Sequence, residues 1–149
     1  MISRYLRLTE KERPLVAQIW GTDPAKFRET AQLVNKLGYD GIDINMGCPE
    51  KSAVKHGACS ALSETPKLAQ DIIQATKEGS GGLPVSVKIR LGFKENMIEE
   101  WMKYLLETEP VNITVHGRIA EHMSRFPADW DSIGKAVQIA KGSGITILG

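Results

Sequence analysis

Short apolar runs of strand character alternate with longer segments of helical period along most of the chain, and that alternation leaves few folds open. Leu15–Ile19, Gly41–Asn45, Pro84–Arg90, Val111–Val115 and Ile145–Leu148 read as strands bounded by Gly, Pro or polar residues. Between the first two, Thr22-Asp23-Pro24 offers a cap and a first-turn proline. Phe27, Ala31, Val34 and Leu37 then recur at helical spacing until Gly38. Thr65-Pro66 opens a second helix with Leu68, Ile72, Ile73 and Ala75, closed by Gly79-Ser80-Gly81-Gly82. Met97, Ile98, Trp101, Met102, Leu105 and Leu106 form an apolar stripe on a third, and Trp130 to Ala140 turns Ile133, Ala136 and Val137 inward on a fourth. Five strands alternating with four helices call for right-handed βαβ units and a parallel sheet. The spacing suits a doubly wound sheet or a (β/α)8 barrel of the TIM type. A whole barrel takes about 250 residues, so a chain of 149 is expected to form part of one. The stretch from Met46 to Glu64 reads as a loop with few apolar anchors, expected to be partly disordered.

Composition excludes several classes. With 42% hydrophobic and 25% charged residues the chain is neither disordered nor fibrous in character. Nineteen Lys+Arg against eighteen Asp+Glu leave a net charge of +1, so any contact with nucleic acid must be local. The two cysteines, with no apolar run at the start, suggest a reducing, cytoplasmic setting. Residues 1–9 are too charged for a signal peptide, and no run approaches the roughly 18 apolar residues of a membrane span.

The polar residues gather at the C-terminal ends of the strands: Gln18 on the first, Asn45 and Cys48 on the second, Lys88 and Arg90 on the third, His116 and Arg118 on the fourth. On a parallel barrel those ends open on one face, where catalytic residues from distant parts of the sequence converge. Cys48 sits where a strand breaks into a Gly/Pro turn. A thiol with an ordinary pKa of about 8.5 is mostly protonated at neutral pH and serves as a general acid as readily as a nucleophile. Lys88 and Arg90 are costly to bury without a partner, and an anionic or electron-rich ligand is the natural one. Cys59 reads as a small core or loop residue, and His122 as solvated. Together with Cys48, His56 and His116 these two show no Cys-x-x-Cys or His-x-x-x-His spacing, so no metal site is expected.

Five segments, in order and spacing, resemble the tRNA-dihydrouridine synthases. They are Arg13-Pro14-Leu15-Val16-Ala17-Gln18-Ile19-Trp20-Gly21, Asp43-Ile44-Asn45-Met46-Gly47-Cys48-Pro49, Val87-Lys88-Ile89-Arg90-Leu91-Gly92, Val115-His116-Gly117-Arg118 and Ala128-Asp129-Trp130. The resemblance implies an FMN-dependent oxidoreductase, reduced by NADPH, that reduces the C5=C6 bond of uridine in tRNA. It implies that Cys48 is the proton donor, that Gln18, Lys88 and His116 contact the flavin, and that Asn45 and Arg90 bind the substrate. Lys51 and Lys55 lie in a segment that resembles the family's loop after the cysteine, where they would meet tRNA phosphates. It further implies that residues 1–149 are a partial barrel catalytic domain without the first strands, the last strand and the C-terminal tRNA-binding domain. Such a piece is expected to be inactive alone and to self-associate through its open edges. Two alternatives stand beside this reading: another pyrimidine-reducing flavin barrel such as dihydroorotate dehydrogenase, and a non-catalytic half-barrel assembly module.

Overall fold

The computed structural model describes residues 9–149; the expectation about the start of the chain falls mainly on residues 1–8, outside that range. Strands β1 (Val16–Ile19), β2 (Gly41–Met46), β3 (Val85–Arg90), β4 (Asn112–His116) and β5 (Thr146–Leu148) alternate with helices α1 (Pro24–Lys36), α3 (Pro66–Gly79), α4 (Ile98–Leu106) and α5 (Trp130–Ile139). A short extra helix, α2 (Lys51–Lys55), lies between β2 and α3. All neighbouring strands pair in parallel, in the order β1-β2-β3-β4-β5. This sequential order is that of a (β/α)8 barrel and not of a doubly wound sheet, whose order reverses at a switch point. The chain is thus an α/β fold forming an incomplete barrel.

The two faces of the sheet differ in kind because side chains alternate along each strand. Ile42, Ile44 and Met46 on β2, Val85, Val87 and Ile89 on β3, and Ile113 and Val115 on β4 are buried in one core with the helices. Phe27, Ala31 and Val34 of α1, Ile72 and Ile73 of α3, Trp101, Met102 and Leu105 of α4, and Ile133 and Ala136 of α5 complete it. The intervening residues, Asp43 and Asn45, Ser86, Lys88 and Arg90, and Asn112, Thr114 and His116, occupy the concave face. Cross-strand register aligns them, with Gln18 opposite Asp43, Asn45 opposite Lys88 and Arg90 opposite His116. The start of β1 is held by Asp40, whose carboxylate accepts from the Leu15 amide at 2.7 Å and from Arg13 Nη1 at 2.8 Å. The Leu15 bond and the Arg13 charge hold that carboxyl below the usual carboxylate range.

Three details differ from the sequence reading. The segment from Met46 to Glu64 is not disordered: after α2, a 3-10 turn runs from Cys59 to Glu64 and residues 58–63 are buried. Small side chains explain this, since Ala53, Ala58 and Cys59 pack closely with little apolar bulk while Leu62 reaches the main core. Cys59 itself takes a left-handed φ of 57°. Val137 is 46% exposed rather than inward. It faces the margin of β5 beside Ile145 and Ile147, where no described element covers it. Leu37 caps α1 at the rim and is also exposed. Among the described residues no helix is long and apolar enough to cross a membrane.

Helices α1 and α3 approach closely at Gly79, where an added Cβ would sit on the Arg28 backbone carbonyl; the Arg28–Glu78 ion pair flanks the contact. Helix propensity alone favours Ala over Gly by about 0.5–1 kcal/mol. The close approach reverses that sign, and Gly79→Ala is expected to destabilise the fold by about 1–3 kcal/mol. A lower urea midpoint at unchanged m-value is the readout.

Candidate functional site

A cleft of about 180 Å3 opens at the C-terminal ends of β1 to β4, lined by Gln18, Asn45, Gly47, Cys48, Pro49, Lys88, Arg90 and His116. All six residues singled out as flavin-binding, substrate-binding or catalytic line it together. A larger groove, about 500 Å3, runs past Trp20 and Phe27 along β1 and shares Gln18. Its charged side chains are already engaged: Asp23 caps α1 and Lys26 pairs with Glu29 at 2.8 Å. The smaller cleft therefore holds the available chemistry.

A relay of side-chain hydrogen bonds organises one wall. Asp43 Oδ1 accepts from Ser86 Oγ at 2.7 Å and its Oδ2 accepts from Gln18 Nε2 at 2.8 Å. A carboxylate only accepts, so Gln18 must turn its NH2 towards Asp43 and its oxygen away. That oxygen accepts from Asn45 Nδ2 at 3.0 Å. Asn45 Oδ1 in turn accepts from the Gly47 and Cys48 amides at 3.1 and 3.0 Å. Each amide side chain retains one N–H for a ligand. Asp43 was not recognisable as a site residue from the sequence, where it reads as an ordinary polar position between Ile42 and Ile44; its signal is a carboxylate inside a strand with no basic neighbour.

The turn bearing Cys48 is fixed from the other side by β3. A Cβ on Gly47 would lie 3.1 Å from the Ile89 carbonyl carbon, so a side chain there would push the turn and β3 apart by a few tenths of an ångström. Arg90, 8% exposed, donates from Nε to the Gly47 carbonyl at 3.0 Å and from Nη1 to the Met123 carbonyl at 2.8 Å. It thereby ties the cysteine turn to the loop after β4. The half-buried Cys48 backs onto Ala53, Ala58 and Cys59. Burial, with Cys48 alongside, pushes the Cys59 thiol up to about 11.

Lys88 is half-buried, and among the described residues no carboxylate lies within 4.0 Å of its amine. Burial, then the nearby Arg90, push its ammonium below the usual lysine range, against the weaker pull of Asp43. His116 Nε2 lies 2.7 Å from Arg118 Nη1, and Arg118 Nε donates to the Phe126 carbonyl at 2.7 Å. Burial, with Arg90, Lys88 and Arg118 around it, lowers the pKa of His116. His122 is half-buried, with its ring edge-on to Phe126 at 5.0 Å. Lys51 and Lys55 are exposed on α2.

Comparison with known proteins gives this cleft a context. The family model for dihydrouridine synthase matches residues 2–148. A probable tRNA-dihydrouridine synthase of Staphylococcus aureus (strain COL) is 46% identical over 129 residues, covering 86% of this chain and 39% of the relative. A probable tRNA-dihydrouridine synthase 2 of Bacillus subtilis (strain 168) is 42% identical over the same shares. The chain thus spans about two fifths of the length of these curated relatives. Among solved structures, 2,3-dimethylmalate lyase, a member of the PEP mutase/isocitrate lyase superfamily, aligns with 98% of this chain and 48% of its own. Its TM-score is 0.60 at 18% identity, a likeness of fold alone.

Lys88 gives the cleft a measurable signature. With its folded pKa depressed, the unfolded chain binds more protons just below the usual lysine value of about 10.4, so stability rises with pH through that window. At neutral pH the ammonium is charged in both states and its desolvation cost is fully present. Lys88→Met is therefore expected to raise the urea midpoint at pH 7 and to remove the alkaline rise. Urea titrations of both proteins from pH 7 to 10 test it.

Proposed function

The chain belongs to the dihydrouridine synthase family, and on that premise we propose that it forms part of the catalytic face of an FMN-dependent, NADPH-reduced oxidoreductase that converts uridine in tRNA to dihydrouridine. The observation that carries this reading is the convergence of Gln18, Asn45, Cys48, Lys88, Arg90 and His116 from four strands on one cleft. Because the chain spans 39% of its relatives' length, the activity belongs in this reading to a longer polypeptide. That polypeptide supplies the remaining barrel strands and a tRNA-gripping domain, and works in the cytoplasm.

The residues present suit one polar edge of a flavin. At about 180 Å3 the cleft falls below the roughly 300–1,000 Å3 of pockets that enclose a whole ligand, the scale of a ring edge rather than a whole nucleotide. Lys88 offers an ammonium with no carboxylate in ion-pair contact among the described residues, suited to negative charge on a reduced ring. Gln18 and His116 would hold the same edge. When bound and reduced by NADPH, FMN supplies a hydride to C6 of the uracil. Cys48 moves its Sγ proton to C5, so that one hydride and one proton add across the double bond. Asn45 has two tasks: its oxygen aims the Cys48 turn, and its spare N–H orients the base. Arg90 holds that turn with Nε, anchors it to the loop after β4 through Nη1, and faces the substrate with the rest of its guanidinium. Lys51 and Lys55 on the exposed side of α2 approach tRNA phosphates.

Cys48→Ala in the intact enzyme tests the assignment. Flavin bleaching by NADPH in stopped flow is expected to stay within about twofold, while dihydrouridine formation on unmodified tRNA, read as a gain of two hydrogens by mass spectrometry, falls by about 10²-fold or more. Equal loss of both steps would refute the acid role, and an intact enzyme that reduces no uridine would refute the reading as a whole.

A further inference from the structure

We propose that Arg118 is a positioning residue that fixes the neutral imidazole of His116 with its proton on Nδ1, so that this corner of the cleft presents a hydrogen-bond donor rather than a lone pair. The argument begins with the 2.7 Å contact between Arg118 Nη1 and His116 Nε2. A guanidinium has only donors and keeps its charge at any pH at which the protein is folded. Nε2 must then be the lone-pair nitrogen, and the ring's single proton resides on Nδ1. Arg118 has no freedom to release the contact cheaply. Its Nε is bonded to the Phe126 carbonyl at 2.7 Å, its amide to the His116 carbonyl at 2.6 Å, and its own carbonyl accepts from the Leu91 amide at 3.2 Å.

The surroundings act in the same direction. Lys88 and Arg90 face His116 from β3, Cys48 faces it from the turn after β2, and β5, with Thr146, Ile147 and Leu148, brings no titratable group. A protonated His116 would be a fourth cation beside Lys88, Arg90 and Arg118, in a half-buried site. With Nε2 taken, Nδ1–H is the ring's donor for whatever occupies the cleft that His116 lines. Its complement is an acceptor, such as a ring carbonyl oxygen. Only the identity of that acceptor, a carbonyl of the bound flavin, rests on the functional reading above.

The test is side-chain nitrogen NMR on the 15N-labelled chain without flavin or tRNA. The three histidines are His56, His116 and His122, and His116→Gln identifies the signals of interest. In the unaltered chain Nε2 is expected to resonate as the unprotonated nitrogen and Nδ1 as the protonated one, with a titration midpoint below the ordinary imidazole value of about 6.5. Arg118→Gln is expected to raise the midpoint and to let the two tautomers mix. Arg118→Lys, which retains a charged donor, keeps Nδ1–H. A protonated Nε2 in the unaltered chain overturns the proposal, as does an Arg118→Gln protein with tautomer and midpoint unchanged. If Arg118→Gln does not fold, the unaltered chain and Arg118→Lys still decide it. No cofactor enters the measurement, so failure of the dihydrouridine reading leaves this result standing, and the reverse.

Discussion

The carboxylate of Asp43, in the middle of β2, is the constraint on which the arrangement of the cleft depends. It accepts from Gln18 on β1 and Ser86 on β3, so one side chain joins three strands across the concave face. Because it has no proton to give, every amide downstream has a single orientation: Gln18 must present its oxygen to Asn45, and Asn45 must present its oxygen to the amides of Gly47 and Cys48. The direction in which the cysteine turn leaves the strand is thus set three hydrogen bonds away. A polar network whose members have fixed donor and acceptor roles holds one geometry, and the amide N–H groups left over are the ones open to a ligand.

The same logic explains why the two faces can be so different. The helix-facing residues of β2, β3 and β4 are aliphatic and buried, which provides the cohesion. The concave face is then free to carry groups that stabilise little or nothing. Lys88 is held half-buried with, among the described residues, no carboxylate in ion-pair contact, and Arg90 spends its guanidinium on backbone carbonyls of two loops. Such uncompensated charge is expected where a site is arranged for a ligand rather than for the empty fold.

The convergence of Gln18, Asn45, Cys48, Lys88, Arg90 and His116 was readable in advance because parallel topology brings all strand ends to one face, whatever the loops do. Asp43 escaped notice, since an acidic residue in a half-polar strand looks like any other until its cross-strand partners are known. The sequence places Arg118 at the open end with His116, but its contact with the ring is not readable from spacing, because neighbours two apart in a strand face the same way without touching; the chain turns after His116, which lets the guanidinium reach Nε2. The segment from Met46 to Glu64 looked loose because alanine, serine and cysteine contribute little to an apolar count, yet small residues pack closely where the backbone permits it. Val137 looked inward by period alone, and helical period cannot say whether anything lies on the far side of β5.

By itself the sequence determined the class of fold, the number of its strands, and which polar residues share the open end, because periodicity and βαβ handedness are local rules with global consequences. Only the tertiary structure decided which of those residues are free. Among the described residues Lys88 has no carboxylate within ion-pair distance, while Asn45, Gln18 and Arg90 are largely engaged by their neighbours and His116 by Arg118. Hydrogen-bond pairing across strands depends on register and side-chain reach, and neither is written in the spacing of residues along one chain.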